Sequence, residues 1–266
     1  MTSAPFFSVI VPTHKRPSLL RRALRSIRSQ EASVPFEAIV VSDHRDTETD
    51  VVCSEELTAA DTYVRRSGLP GPSASRNLAM LLAKGVYILF LDDDDAWYPR
   101  CLAQLLDQDA VRRGLPIYFN CSVVTERRPG SGPEFISEIE LDLKGKLTNE
   151  VYVKNQIHIS CYALPRHILE GLKFDAFLRA YEDWDFLLSV YERAPPIHVP
   201  ILGSRAFEVS DNTTDRRGSS AQANNFHAVM DYMYIYHRHP APCPEIAQKR
   251  AELLQTCGVS ISRDFL

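Results

Sequence analysis

Apolar residues in the first hundred positions switch repeatedly between a strand period and a helix period. Ser8-Val9-Ile10-Val11-Pro12 is a short β-branched run closed by proline and predicts a strand. From Arg16 to Gln30, residues Leu19, Leu20, Ala23, Leu24 and Ile27 recur at helical spacing between basic residues, which predicts an amphipathic helix. Glu37 to Asp43 reads as a second buried strand, Thr47 to Ala60 as a second helix and Thr62 to Arg65 as a short third strand. Gly68-Leu69-Pro70-Gly71-Pro72-Ser73 is a loop by composition. Ser73 to Ala83 continues it as a helix, and Gly85 to Leu91 as a fourth buried strand.

Near-continuous apolar strands that alternate with helices predict an α/β fold, a Rossmann-like, mostly parallel central sheet with helices on both faces. Ligands of such sheets bind beyond the carboxyl ends of the strands, so polar groups that follow a strand are the candidates for chemistry. Residues 115 to 165 carry shorter strand signals, Ile117 to Asn120 and Glu150 to Val153, around the loop Arg128 to Pro133. They read as a small antiparallel extension of the sheet. A helix is expected from Tyr181 to Glu192, a polar loop from Asp211 to Ser220, and two helices at the C-terminus. The chain divides on this reading into 1–110, 111–220 and a helical extension, 221–266.

Composition narrows the setting. With 266 residues, 45% of them hydrophobic and 24% charged, the chain has the profile of a soluble globular protein that can build a full core. A net charge of -4 gives no basic footprint for nucleic acid. The N-terminus lacks a basic region followed by an apolar stretch and cleavage site, and no apolar run approaches the roughly 20 residues of a membrane span. The six cysteines are scattered without zinc-site spacing and read as free thiols of a reducing cytoplasm. The expected location is cytoplasmic, with room for peripheral docking at the inner face of a membrane.

The chemistry concentrates after the fourth strand. Asp92-Asp93-Asp94-Asp95 follows Ile88-Leu89-Phe90-Leu91 directly. Burying four adjacent carboxylates unpaired would cost several kcal/mol each. A divalent cation removes the objection, because hard cations take oxygen ligands and Mg²⁺ typically holds one or two carboxylates plus substrate phosphates. A solvated acidic turn is the plainer reading. The position at the end of a buried strand, on the ligand-binding edge, favours the cation.

Four motifs in order over residues 6 to 190 resemble family 2 glycosyltransferases, which have the GT-A fold. They are Ser8 to Arg16, matching that family's first strand and turn; Gly71-Pro72-Ser73-Ala74-Ser75-Arg76-Asn77, like its G-x-x-x-x-R-N loop-helix; Phe90 to Trp97, like its D-x-D segment; and Tyr181-Glu182-Asp183-Trp184-Asp185, like its E-D-W-D segment. The resemblance implies an inverting, hexosyltransferase-like enzyme that uses a nucleoside-diphosphate sugar, UDP-sugar foremost, to extend a saccharide acceptor in polysaccharide or glycoconjugate synthesis. It implies Mn²⁺ or Mg²⁺ on Asp94, with Asp92 at the metal through water or at the ribose. Asp95 is a second ligand candidate, since a continuous run leaves the register ambiguous. Pro12, Thr13 and Asp43 would sit at the base, Arg76 at the base or phosphates, and Asp93 beside Asp92 on the nucleotide side. The antiparallel extension would face the acceptor.

Inverting transfer needs a base for the acceptor hydroxyl, and a carboxylate with a raised pKa suits that task. Within the family pattern the second acid of the E-D-W-D segment is that base, here Asp183 ahead of Glu182, with Asp185 structural. The plainer role for all three is capping of the apolar helix that follows. Arg205, Ser210, Asn212 and Arg216 fall where relatives carry a mobile segment over the diphosphate. His158 is expected toward the acceptor, and His227 or His237 as completing a metal shell. Tyr232 to Tyr236 reads as helix packing. Three rivals are weighed. A haloacid-dehalogenase-type phosphatase needs its D-x-D at the start of the fold, and a sugar nucleotidyltransferase needs glycines after the first strand. A nucleotide-sugar-binding pseudoenzyme sits poorly with the retained Asp94 and Asp183.

Overall fold

A computed structural model describes residues 4–129, 132–178, 180–210 and 225–266, the side chains of 225, 226 and 264 aside. One mixed sheet organises the chain. Its strands are β1 (Phe7–Thr13), β2 (Phe36–Ser42), β3 (Thr62–Arg65), β4 (Tyr87–Phe90), β5 (Ala96–Trp97), β6 (Ile117–Arg127), β7 (Glu134–Leu141), β8 (Tyr162–Pro165) and β9 (Ile197–Val209). They lie in the order β3-β2-β1-β4-β8-β6-β9-β5, with β7 on β6. The helices are α1 (Pro17–Arg28), α2 (Thr47–Glu56), α3 (Pro72–Leu82), α4 (Cys101–Leu106), α5 (Asp109–Arg112), α6 (Glu182–Arg193), α7 (Asn225–Arg238) and α8 (Pro244–Thr256).

The N-terminal half follows the sequence pattern. β1, β2, β3 and β4 pair in parallel, and β1 is buried along its whole length. The crossovers through α1 and α2 step one way along the sheet, and the crossover through α3 steps back past β1 to β4. Right-handed connections therefore put α3 on the face opposite α1 and α2. The reversal lies between β1 and β4, which opens a crevice at their carboxyl ends. Thr13 to Arg16 and Asp92 to Asp95 are its two lips.

A buried polar joint sets the height of β4 against β1. Ser8 Oγ donates to Glu37 Oε1 at 2.6 Å, the Lys84 amide donates to the same oxygen at 2.7 Å, and the Gly85 amide donates to Ser8 Oγ at 2.7 Å. Gly85 has no room for a side chain, since a Cβ there would lie 2.5 Å from the Ser8 amide nitrogen.

The second half is antiparallel where β8 meets β4 and β6, and where β7 meets β6. The long β9 escapes the sequence pattern. It runs parallel to β6, and the register slips between Phe119, Asn120 and Cys121, beside Pro200, where a ladder donor is missing. The short helices α4 and α5 are likewise unsignalled by periodicity. The strand expected at Glu150 to Val153 is a 3-10 turn, Asn149–Tyr152, which Thr148 caps by accepting the Glu150 amide at 3.2 Å. Its apolar residues are turned onto a second core instead of a sheet.

That second core belongs to the C-terminal helices. Val229, Ile235, Tyr236, Ile246 and Leu254 pack with Val151, Tyr152, Trp184 and Leu188. Tyr232 and Tyr236 stand edge-on or tilted to Trp184, as the packing reading of this stretch expects. The wholly buried Arg250 donates to the carbonyls of Tyr152, His239 and Leu266 at 2.7 to 2.9 Å. Among the described residues no helix is long and apolar enough to cross a membrane.

The joint at Gly85 is testable. Gly85→Ala should lower stability by about 1–3 kcal/mol through overpacking against the backbone of β1, read as a lower urea midpoint with an unchanged slope.

Candidate active site

The loop after β1 turns sharply at Lys15, whose φ is +52°. A non-glycine residue in that region is uncommon and costs strain. The turn sends its neighbours to different carboxylates: the His14 ring meets Asp43, and the Arg16 guanidinium reaches Asp93 and Asp94, each at 3.2 Å.

The four aspartates after β4 point four ways. Asp92 accepts from Arg76 Nη2 at 2.7 Å. Asp93 accepts from Thr13 Oγ1 at 2.8 Å, from the His14 amide at 3.3 Å, and from Arg16. Asp94 faces Arg16 at 3.2 Å and Arg128 at 3.4 Å. Asp95 turns inward, where one oxygen accepts the Phe207 amide of β9 at 2.9 Å. Its other oxygen, Oδ2, is buried without a hydrogen-bond partner among the described residues.

Burial separates these acids electrostatically. It pushes the Asp93 carboxyl up to about 6 and the Asp95 carboxyl up to about 7, beyond what Arg16 and His158 respectively offset. Burial opposes ionisation of Asp92 too, but Arg76, helped by His158, outweighs it and holds that carboxyl below the usual range. For His158 the balance also favours charge. Burial lowers its pKa, and Asp95 and Asp92 more than restore it.

One set of side chains has the chemistry of a cation site. Asp92, Asp95 and His158 can each present a ligand atom, all within 4.8 Å of one another. The Asp95 oxygen that lacks a hydrogen bond lies 3.5 Å from His158 Nδ1. Two carboxylates and an imidazole suit a divalent ion of the Mn²⁺ or Mg²⁺ type, and a cation would satisfy the stranded oxygen. The residues fit the ion, with Asp92 and the second candidate Asp95 in the set and Asp94 outside it. The Asp94 carboxylate is turned away to Arg16 and Arg128. His158, expected toward the acceptor, joins Asp92 and Asp95, while His227 and His237 sit exposed on α7 and belong to no such group among the described residues.

The second acid cluster opens α6. Tyr181 precedes it in a left-handed conformation, φ +63°, held by its ring against Tyr232 at 4.9 Å. Glu182 accepts from Arg76 Nη1 at 2.9 Å, and burial raises its carboxyl despite that guanidinium. Asp183 accepts the Trp184 amide at 2.8 Å and the Asn155 side-chain amide at 3.1 Å. Asp185 is wholly buried beside His239 at 3.2 Å and Arg238 at 3.1 Å, a structural place as expected. Arg76 is 3% exposed and ties Asp92 to Glu182, so the D-x-D and E-D-W-D segments are joined through one side chain. It is neither a solvated residue of the helix face nor turned outward toward a base.

The remaining expected residues divide. Pro12 and Thr13 end β1 at the crevice. Asp43 is already engaged: one oxygen meets the His14 ring and the other accepts the Gly71 amide at 2.6 Å, with Arg66 at 3.5 Å. Arg205 lies within β9 instead of on a loop. It forks onto Glu138 with two bonds of 2.9 Å across to β7. The Ser210 amide donates to the Glu126 carbonyl at the end of β9, while Asn212 and Arg216 lie outside the described residues. Sequence reasoning missed Asn155, Arg128, Arg22 and Glu126. Arg22 sits 3.6 Å over the Phe207 ring and pairs with Glu126 at 2.7 Å, and none of these spacings carries a motif.

A parallel α/β half with an aspartate run at its switch point, joined to a second acid pair, has the architecture of the GT-A fold. Residues 8–164, over half of the chain, match the model of "Glycosyl transferase family 2", and the protein belongs to that family. The putative colanic acid biosynthesis glycosyl transferase WcaA of Escherichia coli (strain K12) is 31% identical over 207 residues, covering 74% of this chain and 70% of its own. An uncharacterized glycosyltransferase of Haemophilus influenzae is 26% identical over 233 residues, 85% of this chain and 75% of that one. Of solved structures, S. aureus TarS 1-349 in complex with UDP-GlcNAc matches with a TM-score of 0.61 at 20% identity, covering 96% of this chain and 73% of that one. The mannosyltransferase PcManGT from Pyrobaculum calidifontis, in complex with GDP-Man and Mn2+, gives 0.57 at 19%, with 98% and 77% covered. At such identities the structural likeness speaks for the fold.

Arg76 gives the sharpest test of this geometry. Arg76→Ala should cost about 2–4 kcal/mol, because it leaves two partly buried acids without their shared partner. Arg76→Lys should restore little, since an ammonium lacks the fork that reaches both partners. Thermal unfolding of the two variants beside the wild type checks the order.

Proposed function

We propose that this enzyme transfers a hexosyl unit from a UDP-sugar to a saccharide hydroxyl, with inversion, in the synthesis of a surface polysaccharide or glycoconjugate. In this reading Asp92, Asp95 and His158 hold Mn²⁺ or Mg²⁺, and Asp183 is the general base. The observation that carries it is the link through Arg76 between a carboxylate set suited to a cation and a second acid pair at the head of α6. A nucleotide-sugar donor is supported by the UDP-GlcNAc and GDP-Man complexes of proteins with the same fold. The saccharide acceptor is supported by the colanic acid and succinoglycan names of relatives.

Bound at this set, a divalent ion would neutralise charge on the departing diphosphate. The chain's own groups do the rest. Pro12 and Thr13 border the crevice that receives the nucleotide, next to the Asp43–His14 pair. Asp183 Oδ2 or Oδ1 takes the proton of the acceptor hydroxyl as its oxygen bonds to the anomeric carbon. The bond from that carbon to the diphosphate oxygen breaks on the opposite face, with its electron pair leaving on the nucleoside diphosphate. Arg76, pinned between Asp92 and Glu182, keeps the two acid clusters at a fixed separation while charge moves between them.

Two measurements test the reading. UDP-glucose and UDP-N-acetylglucosamine should raise the melting temperature in the presence of Mn²⁺ and much less in EDTA, by about 2.7 kcal/mol of stabilisation at a hundred times the dissociation constant. No response to any nucleotide-sugar would sink the proposal, and a Mn²⁺ response that survives in His158→Ala would remove His158 from the ligand set. Asp183→Asn should cut transfer at least about a hundredfold while donor binding persists. Near wild-type transfer by that variant would disprove the base assignment.

A further inference from the structure

Asp183 is held by more than its own helix. Its Oδ1 accepts the Trp184 amide at 2.8 Å, and its Oδ2 accepts an Nδ2–H of Asn155 at 3.1 Å. The other end of the Asn155 side chain is also engaged, because Oδ1 accepts the Ile157 amide at 3.2 Å. That second bond fixes which way the amide faces. A flipped Asn155 would set its oxygen against the Asp183 carboxylate and its NH₂ against the Ile157 N–H, losing both bonds. Asn155 itself is only half-buried, yet its loop is pegged on either side by the buried Val153 and Ile157. The Lys154 amide is tied to the Glu150 carbonyl at 3.3 Å.

Three residues further on, the same loop delivers His158 to Asp92 and Asp95, 3.9 and 3.5 Å away. One short segment thus touches both acid clusters, independently of the bridge through Arg76. A buried or half-buried amide is retained where both its ends are used, and here one end is spent on the loop and the other on the acid.

We infer that Asn155 is the positioning residue of the general base, setting the plane of the Asp183 carboxylate and the lone pairs it offers the acceptor hydroxyl. The inference rests on the reading of Asp183 as that base. Two N–H donors, one on each oxygen, stop rotation of the carboxylate about its Cβ–Cγ bond and leave the remaining lone pairs in a defined direction. A base held within hydrogen-bond reach of its proton in one orientation avoids the loss that a misplacement of about 1 Å would bring.

Two substitutions separate this role from a merely structural one. Asn155→Asp keeps the size and shape of the side chain but replaces the donor with a carboxylate facing Asp183, whereas Asn155→Ala simply removes the donor. UDP release from UDP-glucose or UDP-N-acetylglucosamine in Mn²⁺, with water standing in for the acceptor hydroxyl, gives kcat and donor KM for each variant. The expected result is a kcat lowered roughly tenfold or more in Asn155→Ala and further in Asn155→Asp. Donor KM and the Mn²⁺-dependent rise in melting temperature should stay at wild-type values in both. A structural role predicts the reverse order, with the isosteric Asp tolerated better than Ala. That order, or a kcat unchanged in both variants, overturns the proposal. Asp183→Asn measured alongside keeps the two readings apart: if it abolishes UDP release while both Asn155 variants behave as wild type, the base stands and the positioning role falls. If Asp183→Asn still releases UDP at the wild-type rate, the base assignment itself falls.

Discussion

Four neighbouring carboxylates at the end of a buried strand impose the constraint that the rest of this site answers. Two unit charges 4 Å apart repel by about 4 kcal/mol at an effective dielectric of 20, several times what a helix terminus can return. The run is tolerable because the chain splits it. Arg76 takes Asp92, the turn after β1 takes Asp93, Arg16 and Arg128 take Asp94, and the backbone of β9 takes one oxygen of Asp95. The partners come from α3, the turn after β1, the end of β6 and β9, so the acidic turn fixes the mutual positions of these elements. Within the run, one buried oxygen of Asp95, next to an imidazole, is left without a hydrogen-bond partner among the described residues.

The same economy of partners welds the two halves of the fold. Arg76 leaves α3 to meet both acid clusters, and its guanidinium is held strongly charged because its two carboxylates outweigh the burial that opposes it. On the far side of α6, His239 and Arg238 from the end of α7 close over Asp185. The acids at the head of α6 thus serve three ends: Glu182 faces the sheet's acidic turn, Asp183 the loop at Asn155, and Asp185 the C-terminal helices.

The parallel half was legible because its period is local. The β1, β2 and β3 runs and the faces of α1 and α3 follow from which residues are apolar, and the strand ends fall within a residue or two of their turn signals. β9 was not legible, because it carries Pro200 and owes its strand conformation to a slipped ladder with β6. The turn at Asn149–Tyr152 misled for a related reason: Val151 and Tyr152 look like strand residues but are wanted by Trp184 and Tyr236 from distant sequence. The site shows the same split. Motif order picked out Thr13, Asp43, Arg76, the aspartate run and Asp183. It could not say which aspartate would be turned to Arg128, that Asp43 would be consumed by His14 and Gly71, or that Asn155 and His158 would arrive on one loop. Those facts depend on contacts 28 to 80 residues apart in sequence.

Helix α6 carries one further consequence. Phe186, Leu187 and Val190 belong to the core of the sheet, while Trp184 and Leu188 belong to the core built by the C-terminal helices. One turn of helix is therefore common property of two hydrophobic units. Opening of the C-terminal unit cannot be a private event at the chain's end, since it withdraws the packing of Trp184, the residue directly after Asp183. In terms of cooperative unfolding units, the acidic head of α6 takes the stability of the weaker of the two cores, and the lifetime of the assembled site is set some distance away from it.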